Sequence, residues 1–227
     1  MNLASYLENS AERSPAKVAI RFENENITYQ ELNNDCNRLA NGLKDSGLAP
    51  GDRCLVMLPN STSIVKVYYA LAKMGAIAVP VNFLFRQHEL THIISDAKPK
   101  AFIGSSDYLD EICKVLDQNG GPEILLAIGE PSDSRFNKLD GTYADQATFS
   151  THPAAEDDVL SIIYTSGTTG VPKGVMLTQK NLVSNSTTIS NIRGTIEPDT
   201  VIIGVLPLFH IYGINSVLNS SMYMGLT

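Results

Sequence analysis

The sequence predicts an α/β fold of mostly parallel sheets covered by helices, and three observations carry that prediction. Short apolar runs such as Cys54-Leu55-Val56-Met57-Leu58 lack the alternation of a half-solvated strand and suit strands buried on both faces. Segments of helical period stand between these runs, at the spacing that strand-helix-strand crossovers require. Turn formers such as Pro59, Gly47 and Gly75 fall where one element must hand over to the next.

Taken in order, residues 3–12 form an amphipathic helix that Ser14-Pro15 ends, since the residue before a proline is driven out of helical geometry. A hairpin follows over 18–22 and 27–28, with a polar turn between. Thr28 with Glu31 three residues on reads as a capping box, and Leu32, Cys36, Leu39, Ala40 and Leu43 mark the buried face of the helix it opens. Gly47 is its expected stop. Strands at 54–58, 76–81, 101–104 and 124–128 then alternate with helices starting at 59–61 and spanning 87–97 and 107–117.

Residues 130–153 change character, with Pro131, Asp133, Gly141 and Pro153 among few apolar side chains, and read as a connection between two sheets. The expected division is therefore 1–150 and 151–227. The second part holds strand-like flanks at 159–163 and 175–177, a helix over 179–192, a strand at 201–206 and a helical pattern beyond.

A net charge of -7 argues against nucleic-acid binding, whose affinity comes largely from lysine and arginine on phosphates. Cys36, Cys54 and Cys113 are widely spaced, form no C-x-x-C pair and read as small core residues in a reducing compartment. The first eight residues lack a basic start and an apolar run, and the most apolar stretch, 201–214, is interrupted by Gly204, Pro207 and His210. A cytoplasmic protein without a membrane span is the expectation, and a homodimer is compatible with the sequence.

Between the strand-like flanks lies Tyr164-Thr165-Ser166-Gly167-Thr168-Thr169-Gly170-Val171-Pro172-Lys173-Gly174. Its glycines permit backbone conformations in which consecutive N–H groups converge on one anion. Thr165, Ser166, Thr168 and Thr169 add short donors, and Lys173 adds one positive charge, a chemistry suited to a polyphosphate. It is not a Walker loop, because Gly174 follows Lys173 where Ser or Thr would be needed. A plain turn-rich hairpin connection is the other reading.

Leu206-Pro207-Leu208-Phe209-His210-Ile211-Tyr212-Gly213 follows the 201–206 run, so His210 falls where α/β sheets commonly place ligands. A helix-start histidine satisfied by its neighbours is the plainer reading. His88-Glu89-Leu90-Thr91-His92 matches the zinc string H-E-x-x-H, with Glu111 as the further carboxylate, although Leu90, Ile93, Ile94 and Ala97 define the buried face and leave both histidines on its polar flank.

The ordered loop and the His210 segment together resemble the adenylate-forming superfamily: acyl-CoA synthetases, luciferases and the adenylation domains of peptide synthetases. The likeness runs through the Thr28 helix, Gly51-Asp52, Lys73-Met74-Gly75-Ala76 and Val79-Pro80-Val81-Asn82, and resembles most the bacterial medium- and long-chain fatty acyl-CoA ligases. It implies that 1–150 is a Rossmann-like subdomain and that 151–227 holds the phosphate hairpin and the start of a second subdomain. It also implies ATP, magnesium and a carboxylic acid as ligands, an acyl adenylate as intermediate, and coenzyme A as acceptor.

Carried over, Thr165, Ser166, Gly167, Thr168, Thr169 and Gly170 would hold the β- and γ-phosphates, Lys173 would steady them and Thr165 would lie near magnesium. His210 would orient the carboxylate, with Tyr212 and Gly213 bordering the acyl pocket. Full members of the superfamily continue further, with a Y-G-x-T-E segment that Tyr212-Gly213-Ile214-Asn215-Ser216 only imitates. The expectation is a truncated portion that alone forms no acyl-CoA. Adenylation of an aryl or amino acid for a carrier protein, and a non-catalytic nucleotide-binding module, remain open beside the ligase.

Overall fold

β3, Arg53–Met57, is the strand around which the main sheet is arranged. It pairs in parallel with β4 (Ile77–Pro80) on one side and with β5 (Ala101–Ser105) on the other. The side chains of its apolar run divide between two cores. Cys54, Val56 and Leu58 enter one, while Leu55 and Met57 enter the other, so the lack of alternation follows from burial on both faces. The computed structural model describes residues 2–165, 172–194, 196–197 and 199–227.

Beyond β5 the parallel run continues through β6 (Ile124–Ile128) to a two-residue β7 (Asn137–Lys138). On the other side β8 (Val159–Thr165) joins β4 in parallel through Ala78 and Ser161, and β9 (Lys173–Thr178) returns antiparallel to it. The order is β7-β6-β5-β3-β4-β8-β9. β1 (Val18–Phe22) and β2 (Glu25–Thr28) form a separate hairpin.

Helices α1 (Ser5–Arg13), α2 (Tyr29–Asp45) and α3 (Thr62–Met74) contribute to the first core, as do α6 (Gln179–Arg193) and α7 (Ser220–Met224). Helices α4 (Gln87–Ala97) and α5 (Asp110–Asn119) line the second core through Leu90, Ile93, Ile112 and Val115. The caps follow local chemistry. Thr28 accepts from the Glu31 amide at 3.2 Å while Glu31 accepts from the Thr28 amide at 2.8 Å. Gly75 closes α3 at φ 72°, a left-handed conformation that favours glycine.

Two expectations meet a different structure. The run at 201–206 is not a strand: Ile203 and Val205 are 76% and 75% exposed, and Ile202 reaches the Thr227 carbonyl by a single amide bond at 2.8 Å. Apolar residues form a strand only where a ladder satisfies the backbone, and no ladder partner is found here among the described residues. The 130–153 connection carries β7, a 3₁₀ turn at Leu139–Thr142 and the buried Phe136 and Leu139. It does not join two sheets, because β8 and β9 extend the sheet that β3 centres.

Residues 222–227 are stitched to the first thirty. Ser10 Oγ donates to the Met222 carbonyl, Lys17 Nζ to Gly225, the Tyr29 hydroxyl to Leu226, and Thr227 Oγ1 to Val18. Inside this packing the Lys73 ammonium, 1% exposed, meets Glu8 at 2.5 Å. Cys36 and Cys54 are buried and Cys113 is half-buried, all as free thiols. Burial pushes Cys36 up to about 12. Burial first, then Asp133, pushes Cys113 up to about 11. Among the described residues no helix is long and apolar enough to cross a membrane.

Candidate functional site

Because β3, β4 and β8 run parallel, their carboxyl ends share one edge of the sheet, and antiparallel β9 starts at that edge. Open α/β sheets bind ligands outside this edge. Thr165 closes β8 and Lys173 opens β9, and the two are cross-strand partners with both side chains exposed. Ser166, Gly167, Thr168, Thr169 and Gly170 lie outside the described residues.

Asn60, just past β3, ties the second motif to the same edge. Its Nδ2 donates to the carbonyls of Gly204 at 3.2 Å and Leu206 at 2.9 Å, and its Oδ1 accepts the Leu208 amide at 2.8 Å. The Tyr68 hydroxyl adds a bond to the Leu208 carbonyl at 2.7 Å. Phe83, just past β4, meets the Phe209 ring edge-on at 5.8 Å. The chain leading into His210 is thereby fixed across the ends of β3 and β4.

His210 is exposed, and its Nδ1 accepts the Tyr212 amide at 3.3 Å. In the neutral ring the proton then sits on Nε2, which leaves that nitrogen as the donor toward a ligand. The helix that follows is a π-helix over Tyr212–Asn219, a rare geometry that occurs frequently at functional sites and one that local sequence pattern does not reveal. Gly213 is required where it stands, because a Cβ there would lie 2.2 Å from the Pro207 carbonyl oxygen.

A cavity of about 410 Å³ opens beside His210 and Tyr212 and is lined also by Asn215, Ser216, Leu177, Asn181 and Asn185. Gly213 is buried against the 206–207 backbone and does not line it. A relay of amides stiffens this region: the Tyr69 hydroxyl donates to Asn219, Asn219 to Asn215 at 2.9 Å, and Asn215 to Asn185 at 2.8 Å. Sequence reasoning passed over Asn60, Asn185 and Asn219. Asn60 alone carried a signal, as a polar residue directly after a strand buried on both faces.

The zinc arrangement is not formed. Glu111 accepts the Gln87 amide at 2.8 Å and pairs with Lys114 at 2.6 Å, contacts that hold its carboxyl below the usual range, Lys114 first and Gln87 next. Glu89 accepts the Arg86 amide at 2.7 Å, so both carboxylates finish the start of α4. His92 Nε2 is bonded to the Pro172 carbonyl. Among the described residues no three His, Cys, Asp or Glu side chains gather as a metal site.

Comparison with known proteins matches residues 7–227 to the family described as AMP-binding enzyme. A long-chain-fatty-acid–CoA ligase of Bacillus subtilis (strain 168) is 33% identical over 98% of this chain and 45% of its own length. A 4-coumarate–CoA ligase, CCL1, of Humulus lupulus is 32% identical over 88% of this chain and 37% of its own. The crystal structure of ATP-bound MatB from Rhodopseudomonas palustris superposes with a TM-score of 0.84 at 31% identity, over 100% of this chain and 44% of that one. The chain thus spans under half the length of each of these relatives.

Proposed function

The chain belongs to the AMP-binding enzyme family, and from that premise we propose that it is part of an ATP-dependent acyl-CoA ligase that activates a carboxylic acid as its adenylate and passes the acyl group to coenzyme A. One observation carries the reading: the Thr165–Lys173 mouth and the chain leading into His210 both lie along the carboxyl edge of one sheet. An exposed ammonium opposite an exposed hydroxyl fits the terminal phosphates of ATP. Lys173 would neutralise phosphate charge, Thr165 with Ser166, Gly167, Thr168, Thr169 and Gly170 would surround it, and Thr165 would face magnesium. A bound magnesium ion would supply further charge neutralisation as pyrophosphate departs.

His210 would orient the acid carboxylate through Nε2–H, with Tyr212 bordering the acyl pocket. Holding carboxylate and α-phosphate in a fixed relation is the main catalytic task of such a site. In this reading 1–150 and 151–227 are the two parts of one nucleotide-binding domain. A medium- or long-chain fatty acid is the narrower substrate. An aryl acid is the second reading, favoured by the exposed side-chain amides of Asn181 and Asn185 at the cavity, which suit a ligand with a polar end.

The test is acid-dependent exchange of pyrophosphate into ATP by the protein that carries this chain, run over fatty and aryl acids. Thioester formation with free coenzyme A is the expected product. Acyl transfer only to a carrier protein, or ATP binding without exchange, would replace the ligase reading.

A further inference from the structure

The H-E-x-x-H helix has a partner in the β8–β9 hairpin. His92 Nε2 donates to the Pro172 carbonyl oxygen at 2.8 Å, and since a carbonyl only accepts, Nε2 bears the proton. One turn on, Asp96 Oδ2 accepts the Tyr164 hydroxyl at 2.5 Å. The His92 and Tyr164 rings meet edge to face at 6.3 Å and 88°. Tyr164 can lie over β9 because its cross-strand partner is Gly174, where a Cβ would stand 3.1 Å from Tyr164 Cζ. One face of α4 therefore grips both stems of the β8–β9 hairpin: Tyr164 on the way in and Pro172 on the way out.

We propose that His92 and Asp96 are positioning residues that fix the two stems of the 164–174 turn and so set the spacing at which Thr165 and Lys173 meet a nucleotide's phosphates. The nucleotide half of this statement rests on the phosphate-seat reading given above. The stems cannot shift against each other without breaking a bond to the same helix. Asp96 is exposed and His92 half-buried, so neither bond belongs to the core, and its effect is local to the hairpin. Burial first, then Asp96, raises the Tyr164 hydroxyl well above its ordinary value, which keeps it the donor.

The experiment compares the protein that carries this chain with its His92→Ala, Tyr164→Phe and His92→Gln variants, the last retaining an N–H donor. Amide hydrogen exchange, melting temperature and ATP binding by calorimetry are read on each. In His92→Ala and Tyr164→Phe, exchange at Thr165 and residues 173–175 should quicken about five- to tenfold, the effect of one hydrogen bond at its ordinary net worth, with β3 and β5 unchanged. ATP affinity should fall by a similar factor, and His92→Gln should restore both. Wild-type exchange in all variants, or equal acceleration through β3 and β5, overturns the proposal. If the hairpin loosens as expected while the wild-type protein binds no ATP, the brace stands and the phosphate-seat reading falls.

Discussion

The runs at 54–58 and 201–206 are alike in composition, and the protein treats them oppositely. Leu55 and Val56 are fully buried, whereas Ile203 and Val205 face water. The difference lies in their neighbours. β3 has parallel partners on both sides and helices on both faces, while the later run holds one amide bond to Thr227 and the side chain of Asn60. Apolar sequence states a capacity for burial, and pairing partners decide whether it is used.

The sharpest way to break this comparison is to truncate each run. Leu55→Ala should cost about 2–5 kcal/mol, while Ile203→Ser should change stability by less than about 0.5 kcal/mol in this chain, both read by urea denaturation. Equal losses would mean that Ile203 is buried in solution. Gly213→Ala tests the backbone that follows the exposed run. Its Cβ must displace the Pro207 carbonyl, and a loss of about 1–3 kcal/mol is expected. Asn60→Ala removes the tether between the two runs. It should cost about 1–2 kcal/mol and quicken amide exchange at Leu208, while exchange in β3 stays slow.

Losses well below that of Leu55→Ala are expected at the helix caps that precede the two regions. Thr28→Ala and Thr178→Ala each lose a capping-box hydroxyl and should cost about 1 kcal/mol in thermal melts. The thiols offer a parallel contrast. With burial pushing Cys36 up to about 12 and Cys113 up to about 11, both stay protonated at pH 8, so alkylation of the native chain should be slow and should accelerate only as pH climbs toward 11, at Cys113 first. Fast labelling of Cys36 at pH 8 would show that α2 opens.

Where local chemistry and tertiary structure agree, the sequence was readable. Gln87–Ala97 matches the expected helix residue for residue, and the Thr28–Glu31 box forms as the pattern indicated. The equivalent box at Thr178 was missed because Asn181 stands where Glu or Gln was sought. The π-helix could not be read, since its pattern differs little from that of an α-helix. For the site, the motifs indicated Thr165, Lys173 and His210 as candidates, but not what orders them. Asn60 acts across 148 residues of chain and His92 across 80, separations at which periodicity is silent. The letters of the H-E-x-x-H string describe a helix face, whose polar flank the pattern placed, and not what lies against it.

The four bonds between the opening thirty residues and residues 222–227 constrain the order of events at the ribosome. At about 5–20 residues per second, roughly 10–40 s separate synthesis of Tyr29 from that of the carbonyl its hydroxyl grips. Throughout that interval α1 and the first hairpin must wait, with part of their apolar surface uncovered, for the chain that will close over them. Nascent molecules stalled before residue 222 should therefore be the form most readily captured by chaperones.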